Sequence, residues 1–408
     1  MEFGLLGRKL GHSYSPQIHS ALGDYSYALY EVEPEDFENF IRNADFDGIN
    51  ITIPYKKDVI PYCAELSDVA KELGSVNTIV RKPDGTLFGH NTDYFGFQSM
   101  VEQSGLSVLG KKVLVLGSGG ASVTAVAVLR SLGADVVVIS RTGENSYHNL
   151  HRHKDAFAIV NTTPVGMYPD VDQSPVDLTN FPKLQGVLDV IYNPARTKLL
   201  QQAEDLGLVT MNGLWMLVAQ AKESAQWFTG KSINDEAIPM IHRKLRRQME
   251  NLILVGMPGC GKSTIGKLLA EKTGKAFVDA DEKIVEIAGK SIPEIFSQDG
   301  EDTFRRLETK ALEELGKQSG LVIATGGGCV TRRKNYPLLH QNGTIVWLQR
   351  DLDCLPTEGR PLSQKGSLED MYQVRRPLYE SFSDITVCNN TAAESVVDAI
   401  LAAVGLED

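Results

Sequence analysis

The sequence predicts an α/β protein of more than one domain, and three observations carry that reading. Short β-branched runs end in glycine-rich turns, helical periodicity follows several of them, and two of the turns have the make-up of phosphate-binding loops. The strand candidates are KKVLVLGSGG (111–120), ADVVVISR (134–141), NLILVGMPG (251–259), GLVIATGGG (320–328) and GTIVWLQR (343–350). Apolar runs of about 4–8 residues bounded by glycine read as strands of a parallel sheet covered on both faces. The segments 122–133 and 263–274 carry the helical pattern directly after such runs. Ligands are then expected at the carboxyl ends of the strands. Buried helices explain the same runs less well, because each is short and punctuated by glycine.

Composition bounds the functions. At about 150 residues per domain, 408 residues predict two or three domains. Hydrophobic residues at 42% and charged residues at 23% exclude a disordered, collagen-like or disulfide-scaffold chain. With 41 Lys and Arg against 52 Asp and Glu, the net charge of -11 repels phosphodiester backbones, so nucleic acid is not an expected partner. Cys63, Cys260, Cys329, Cys354 and Cys388 stand singly, which fits a reducing compartment. No apolar run reaches the roughly 20 residues of a membrane span, and the N-terminus has no targeting pattern. A cytosolic, multidomain globular protein is expected.

The parts are placed at residues 1–100, 101–230, 231–249 and 250–408. The basic cluster at 243–247 is read as the solvated end of a helix over 233–250, and a fresh strand begins at Asn251.

Two loops carry chemistry on their face. Gly256–Ser263 fits G-x-x-x-x-G-K-[ST] between a strand and a helix. Its glycines let backbone N–H groups curl round phosphates, Lys262 reaches the outer phosphate oxygens, and the Ser263 hydroxyl is suited to Mg²⁺. Gly259, Cys260, Gly261, Lys262, Ser263 and Thr264 are the candidate ATP-binding residues. The second loop, Gly117, Ser118, Gly119, Gly120 and Ala121, fits a dinucleotide turn, with Ser122 in place of the third glycine. The next strand ends at Ser140, Arg141 and Thr142. Arginine there suits a 2′-phosphate, so NADP is expected over NAD.

Around these loops stand Gly11-His-Ser13-Tyr-Ser15-Pro16, Asn50-Ile-Thr52-Ile-Pro54-Tyr-Lys56, Val76-Asn77-Thr78 and Asn91-Thr92-Asp93. Asn161–Met167, Tyr192-Asn-Pro and Gly213–Gln220 follow in order. From residue 1 to about 248 the chain resembles the shikimate dehydrogenase family. The resemblance implies a substrate domain followed by a Rossmann-like NADP domain. It also implies Lys56 and Asp93 as the catalytic proton relay, and substrate contacts from Ser13, Ser15, Thr52, Asn77, Tyr192 and Gln220. Val190 and Gly213 join the cofactor contacts. Ketone reduction by hydride needs a proton for the developing alkoxide, which a paired lysine and aspartate supply. One departure stands out. Residues 142–160 leave room for one short helix and one strand, where the family has a further helix and strand. The NADP domain is therefore expected to be shortened. His148, His151 and His153 lie there without carboxylate or cysteine support for a metal, and are read as a solvated segment.

From Asn251 the chain resembles the shikimate kinase family, a P-loop domain of the nucleoside-monophosphate-kinase type. The motifs are Asp279-Ala-Asp281, Gly300–Glu308, Thr325–Gly328, Gly359-Arg360-Pro361-Leu362 and Arg375–Tyr379. The resemblance implies that Ser263 and Asp279 hold Mg²⁺ and that Asp281 orients and deprotonates the accepting hydroxyl. Arg305 and Arg375 clamp the substrate carboxylate, with Glu308 orienting Arg305. Gly327 lets the ring approach, and Arg360 reaches the transferring phosphate. No basic residue stands about seven positions before Arg360, where the family has an adenine-stacking arginine, and the segment is shortened.

The two resemblances imply consecutive steps: 3-dehydroshikimate reduced by NADPH to shikimate, then phosphorylation by MgATP to shikimate 3-phosphate. Alternatives are quinate/shikimate dehydrogenase activity beside the kinase, or a ligand-sensing regulator without catalysis. Lys56, Asp93, Lys262, Ser263 and Asp281 are all present, which argues against the regulator. The sequence leaves oligomeric state open.

Overall fold

The computed structural model describes residues 2–11, 13–355 and 368–406. It divides into two compact units: residues 1–167, 172–192 and 202–244, and residues 168–171, 193–201 and 245–408.

The first unit holds two sheets. Strands β1 (Glu2–Gly7), β2 (Ser26–Glu31), β3 (Gly48–Ile51), β4 (Glu65–Leu66), β5 (Thr78–Arg81) and β6 (Leu87–His90) form a sheet in the order β2-β1-β3-β5-β6-β4. It is mixed: β1 pairs in parallel with β2 and β3, whereas β5 runs antiparallel to both β3 and β6. β3 is buried along its whole length, so its end delivers Thr52 and Lys56 from a fixed platform.

The second sheet is wholly parallel. It comprises β7 (Lys112–Leu116), β8 (Asp135–Ile139), β9 (Ala158–Asn161), β10 (Gly186–Asp189) and β11 (Val209–Met211), ordered β11-β10-β9-β7-β8. β9 and β10 are buried throughout, as continuous apolar strands covered on both faces should be. The shortened connection after β8 forms a 3₁₀ stretch, Tyr147–His153, kinked at Asn149, and leads straight into β9. β8 is therefore the edge of this sheet. Helix Leu214–Thr229 then packs on helices Ser15–Leu22 and Asp93–Gln103 of the first layer.

The second unit is built on β12 (Asn251–Val255), β13 (Ala276–Asp279), β14 (Leu321–Ala324), β15 (Gly343–Gln349) and β16 (Ile385–Cys388). All pair in parallel, in the order β13-β14-β12-β15-β16. β12 and β14 are fully buried and form the centre of a core that includes Leu254, Ile323, Val346, Trp347 and Tyr379. Every strand run read from the sequence lies in one of the two parallel sheets.

His19 is fully buried in the first unit, stacked on Tyr27 at 3.9 Å, with Nδ1 2.8 Å from the Tyr25 hydroxyl. Burial drives its pKa down to about 3, so the folded protein holds it neutral. A folded value below the unfolded one contributes stability above about pH 6.5 that is lost as pH falls towards 3. Between pH 7 and pH 5 the loss from this group is about 2 kcal/mol, at about 1.4 kcal/mol per decade. Urea unfolding at the two pH values measures it. His19→Gln is expected to remove that part of the pH dependence, and identical slopes for variant and wild type would refute the assignment.

Candidate active sites

The first unit contains a cavity of about 320 Å³. Its walls bring together Ser13, Ser15, Thr52, Lys56, Asn77, Asp93, Val190, Tyr192, Gly213 and Gln220, residues spread over some two hundred positions of the chain. Lys56 follows the end of β3, Asp93 opens helix Asp93–Gln103, and Lys56 Nζ donates to Asp93 Oδ2 at 2.6 Å. Both side chains are mostly shielded, at 29% and 17% exposure. Water competes weakly for this pair, so its geometry is held.

A hydrogen-bond lattice positions the pair. Asn77 Oδ1 accepts from the Thr92 N–H at 2.7 Å, and Asn77 Nδ2 donates to Thr92 Oγ1 at 3.1 Å. Asn91 Oδ1 accepts from the Asp93 N–H at 3.1 Å. The Val76-Asn77-Thr78 and Asn91-Thr92-Asp93 motifs are thus two halves of one lock, and the lock sets where Asp93 points. Thr92 Oγ1 also donates to Gln220 Oε1 at 3.3 Å, linking helix Leu214–Thr229 to the same cluster. Gly96 makes that approach possible, since a Cβ there would lie 2.7 Å from the Met216 carbonyl oxygen.

Asn50 also lines this cavity and was not singled out in the sequence. It is 5% exposed, its Oδ1 accepts from the Tyr27 hydroxyl at 2.7 Å, and its Nδ2 donates to Thr78 Oγ1 at 3.0 Å. Its place two residues before Thr52, in the same motif, was the available signal. Lys9 and Leu10 line the cavity too, and nothing in their local sequence marks them.

The candidate cofactor residues gather along the edge of the parallel sheet. Gly117 takes φ +108°, and a Cβ there would meet Thr162 Oγ1 at 2.9 Å, so the turn requires glycine. Its N–H donates to the Ile139 carbonyl at 2.8 Å, which sets the glycine turn beside Ser140, Arg141 and Thr142. Gly119 caps helix Gly120–Ser131, and Cβ atoms at Gly119 and Gly120 would meet open space. Ser118, Ala121 and Arg141 are exposed. A helix N-terminus with open N–H groups and a nearby exposed guanidinium fits the phosphates of NADP. Ser122 is 2% exposed, so the missing third glycine is absorbed in packing. Val190 and Gly213 meet at the cavity, where a Cβ on Gly213 would collide with the Val190 carbonyl.

The second unit holds a cavity of about 570 Å³ at the carboxyl ends of β12, β13 and β14. Gly256, Gly259 and Gly261 take φ of +147°, +84° and +96°, which wraps the loop round the N-terminus of helix Lys262–Thr273. Lys262 is 8% exposed, and its Nζ donates to the carbonyls of Gly256 at 2.9 Å and Met257 at 3.0 Å. Gly259, Gly261, Ser263 and Thr264 line the cavity. Cys260 departs from the expectation: its side chain is fully buried and its N–H donates to the Met257 carbonyl at 3.2 Å. Arg360 lies outside the described residues.

Ser263 Oγ donates to Asp279 Oδ2 at 2.8 Å, which puts a hydroxyl and a carboxylate side by side beside the loop. Among the described residues no cluster of three or more metal-binding side chains occurs. The Ser263–Asp279 pair offers two oxygen ligands suited to a Mg²⁺ whose remaining ligands come from phosphate and water. Asp281 lies two residues on, and its Oδ1 is buried with no partner among the described residues. Burial, and then the neighbouring Asp279 charge, hold its pKa above the usual carboxylate range.

Arg305 is 6% exposed, and its Nη1 donates to Glu308 Oε2 at 2.8 Å. Arg375 Nη1 donates to the Gly327 carbonyl at 3.3 Å, and the Tyr379 hydroxyl donates to the same oxygen. Three consecutive glycines let these groups converge. A Cβ on Gly326 would lie 2.9 Å from Glu308 Oε1 and 3.0 Å from Asp281 Oδ1, and one on Gly328 would occupy the Arg305 guanidinium. Phe304, inside the Gly300–Glu308 motif, and Ile292 and Phe296, outside every motif, supply an apolar wall.

The two units together have the make-up of a dinucleotide-dependent reductase and a phosphate-loop kinase carried on one chain. Comparison with known proteins gives the families. Residues 5–79 match the model of the shikimate dehydrogenase substrate binding domain, and residues 258–405 match that of shikimate kinase. A shikimate dehydrogenase (NADP(+)) of Clostridium perfringens is 37% identical over 267 residues, spanning 60% of this chain and 98% of that protein. The structure of shikimate dehydrogenase 1 from Peptoclostridium difficile is 34% identical with TM-score 0.56, covering 60% of this chain and 97% of that one. That of the Thermus thermophilus enzyme, in complex with NADP(H) and shikimate, is 30% identical with TM-score 0.55 and is covered over 99% of its length, against 60% of this chain. The chain belongs to the shikimate dehydrogenase family and carries a shikimate kinase domain after it.

The Gly328 contact gives a test of the C-terminal site. Gly328→Ala is expected to unseat Arg305 and raise the KM for shikimate by at least about tenfold, a cost of about 1.4 kcal/mol. NADPH oxidation by the same preparation should stay unchanged. An unaltered shikimate KM would refute the packing of Arg305 on this glycine.

Proposed function

We propose that the chain reduces 3-dehydroshikimate to shikimate with NADPH, and then phosphorylates shikimate at its 3-hydroxyl with MgATP. The single observation that carries the first activity is the shielded Lys56–Asp93 pair in the wall of the first cavity. NADPH, when bound along Gly117–Ala121 and Arg141, supplies the hydride. Lys56 Nζ then donates a hydrogen bond, and finally a proton, to the ketone oxygen as it becomes an alkoxide. Asp93 keeps the ammonium oriented until that moment. Ser13, Ser15, Thr52, Asn77, Tyr192 and Gln220 hold the carboxylate and hydroxyls of the ring.

In the second cavity the reaction demands alignment and charge neutralisation more than covalent work by the protein. Ser263 and Asp279 would hold Mg²⁺, and Lys262 and the N–H groups of its loop would grip the phosphates. Asp281 accepts the proton of the attacking hydroxyl. Its raised pKa makes it the stronger base, and its unpartnered Oδ1 is free to take that proton. Arg305 and Arg375 fix the carboxylate at the far end of the ring, with two forks matched to carboxylate oxygens. Glu308 holds Arg305 for this task.

Two variants test the reading. Lys56→Ala is expected to lower dehydrogenase turnover by at least about 10²-fold, the lower end for losing a proton donor. Phosphorylation of supplied shikimate by that variant should stay close to wild type. Parallel loss of both activities in a folded variant would refute separate sites. Arg141→Asp is expected to weaken NADPH far more than NADH, because the carboxylate repels a 2′-phosphate and accepts from a 2′-hydroxyl. Steady-state KM values for both cofactors decide it, and a wild type that uses NADH as readily as NADPH would overturn the role of Arg141.

A further inference from the structure

Among the described residues four cations line the cavity of the second unit, and three of them have protein partners. Lys262 is held by the Gly256 and Met257 carbonyls, Arg305 by Glu308 and Glu301, and Arg375 by the Gly327 carbonyl. The fourth is Arg350, the residue directly after β15. Its Nε is buried and has no hydrogen-bond partner among the described residues. A buried N–H donor without an acceptor is unusual in a folded protein, and here it stands in the wall of a ligand cavity. The guanidinium flanks the phosphate loop: a Cβ on Gly261 would lie 3.9 Å from Arg350 Nη1. Asn389 backs the loop at that spot, with Nδ2 donating to the Cys260 carbonyl at 2.6 Å.

Charge points the same way. Among the described residues Asp279, Asp281 and Glu308 are the acidic groups of the cavity, and Lys262, Arg305 and Arg375 line it with them. Arg350 is the cation left over, beside the N-terminus of helix Lys262–Thr273, where anions are favoured. Its planar fork matches two oxygens of one phosphate or of adjacent phosphates.

We propose that Arg350 binds the phosphate chain of the nucleotide held by the loop 256–263. This rests on the kinase reading given above and adds to it a contact outside every motif that defines that reading. Calorimetric titration of the full chain with MgADP and, separately, with inorganic tripolyphosphate tests it without turnover. Arg350→Gln is expected to raise the Kd for both probes about tenfold, and Arg350→Lys less, because charge remains while the fork is lost. The Kd for shikimate should not change.

A MgADP Kd within twofold of wild type in Arg350→Gln overturns the proposal. So does a weakened MgADP with unaltered tripolyphosphate, which would place the arginine on the base or ribose. Lys262→Ala separates the two layers of the argument. If it leaves MgADP binding unchanged, the reading of the loop fails and the proposal with it. If it weakens MgADP while Arg350→Gln does not, only the role of Arg350 fails.

Discussion

Charge held away from water needs a partner, and that constraint organises both cavities. Each reaction requires ammonium or guanidinium groups poised at low exposure, where their fields are least screened. Lys56 is matched by Asp93, Arg305 by Glu308, and Lys262 by two backbone carbonyls. Asp93 opens a helix, Glu308 lies within helix Glu301–Gly316, and the Gly256 and Met257 carbonyls directly follow β12, so the geometry exists before any ligand arrives. Removing one partner leaves a charge in a poorly solvated place, which costs more than the pair itself contributes.

Glycine is the second device, used where a side chain would stand in the way. Gly96 brings helices Asp93–Gln103 and Leu214–Thr229 together and so sets Gln220 beside Thr92. Gly213 lets the backbone touch the end of β10, and the run Gly326–Gly328 clears room for Asp281, Glu308 and Arg305. In each case the glycine matters for an absent Cβ. Positive φ is the reason at Gly117 and in the phosphate loop, where the chain must turn sharply to expose N–H groups.

The nucleotide-binding sheet of the first unit illustrates economy in the same fold. With residues 142–160 too few for another helix and strand, β8 becomes an edge and the 3₁₀ stretch Tyr147–His153 closes the gap. The turn at Gly117 and the end of β8 still meet through the Gly117–Ile139 hydrogen bond. The corner formed by the glycine turn and the end of β8 is thereby kept while the sheet beyond it is pared away.

By itself the sequence determined the parallel sheets, the two phosphate loops and most of the lining of both cavities. Those features are local: apolar runs with glycine ends, and short motifs whose residues stand within a few positions of one another. It also determined the shortening after Arg141, because chain length alone limits what fits there. Tertiary structure decided the rest. That β5 runs antiparallel to β3 follows from long-range pairing that no local pattern announces, whereas β5 and β6 form a local hairpin closed by the turn Lys82–Thr86. Lys9 joins its cavity, and Ile292 and Phe296 theirs, only when distant segments fold together. Cys260, read as part of the nucleotide grip, turns inward because the loop needs its side chain as core. Arg350 is the sharpest case. As one basic residue after a strand it carried no signal, and only the folded chain set its unpartnered Nε beside the loop. Partners distant in sequence are chosen by packing, and packing is a property of the whole chain.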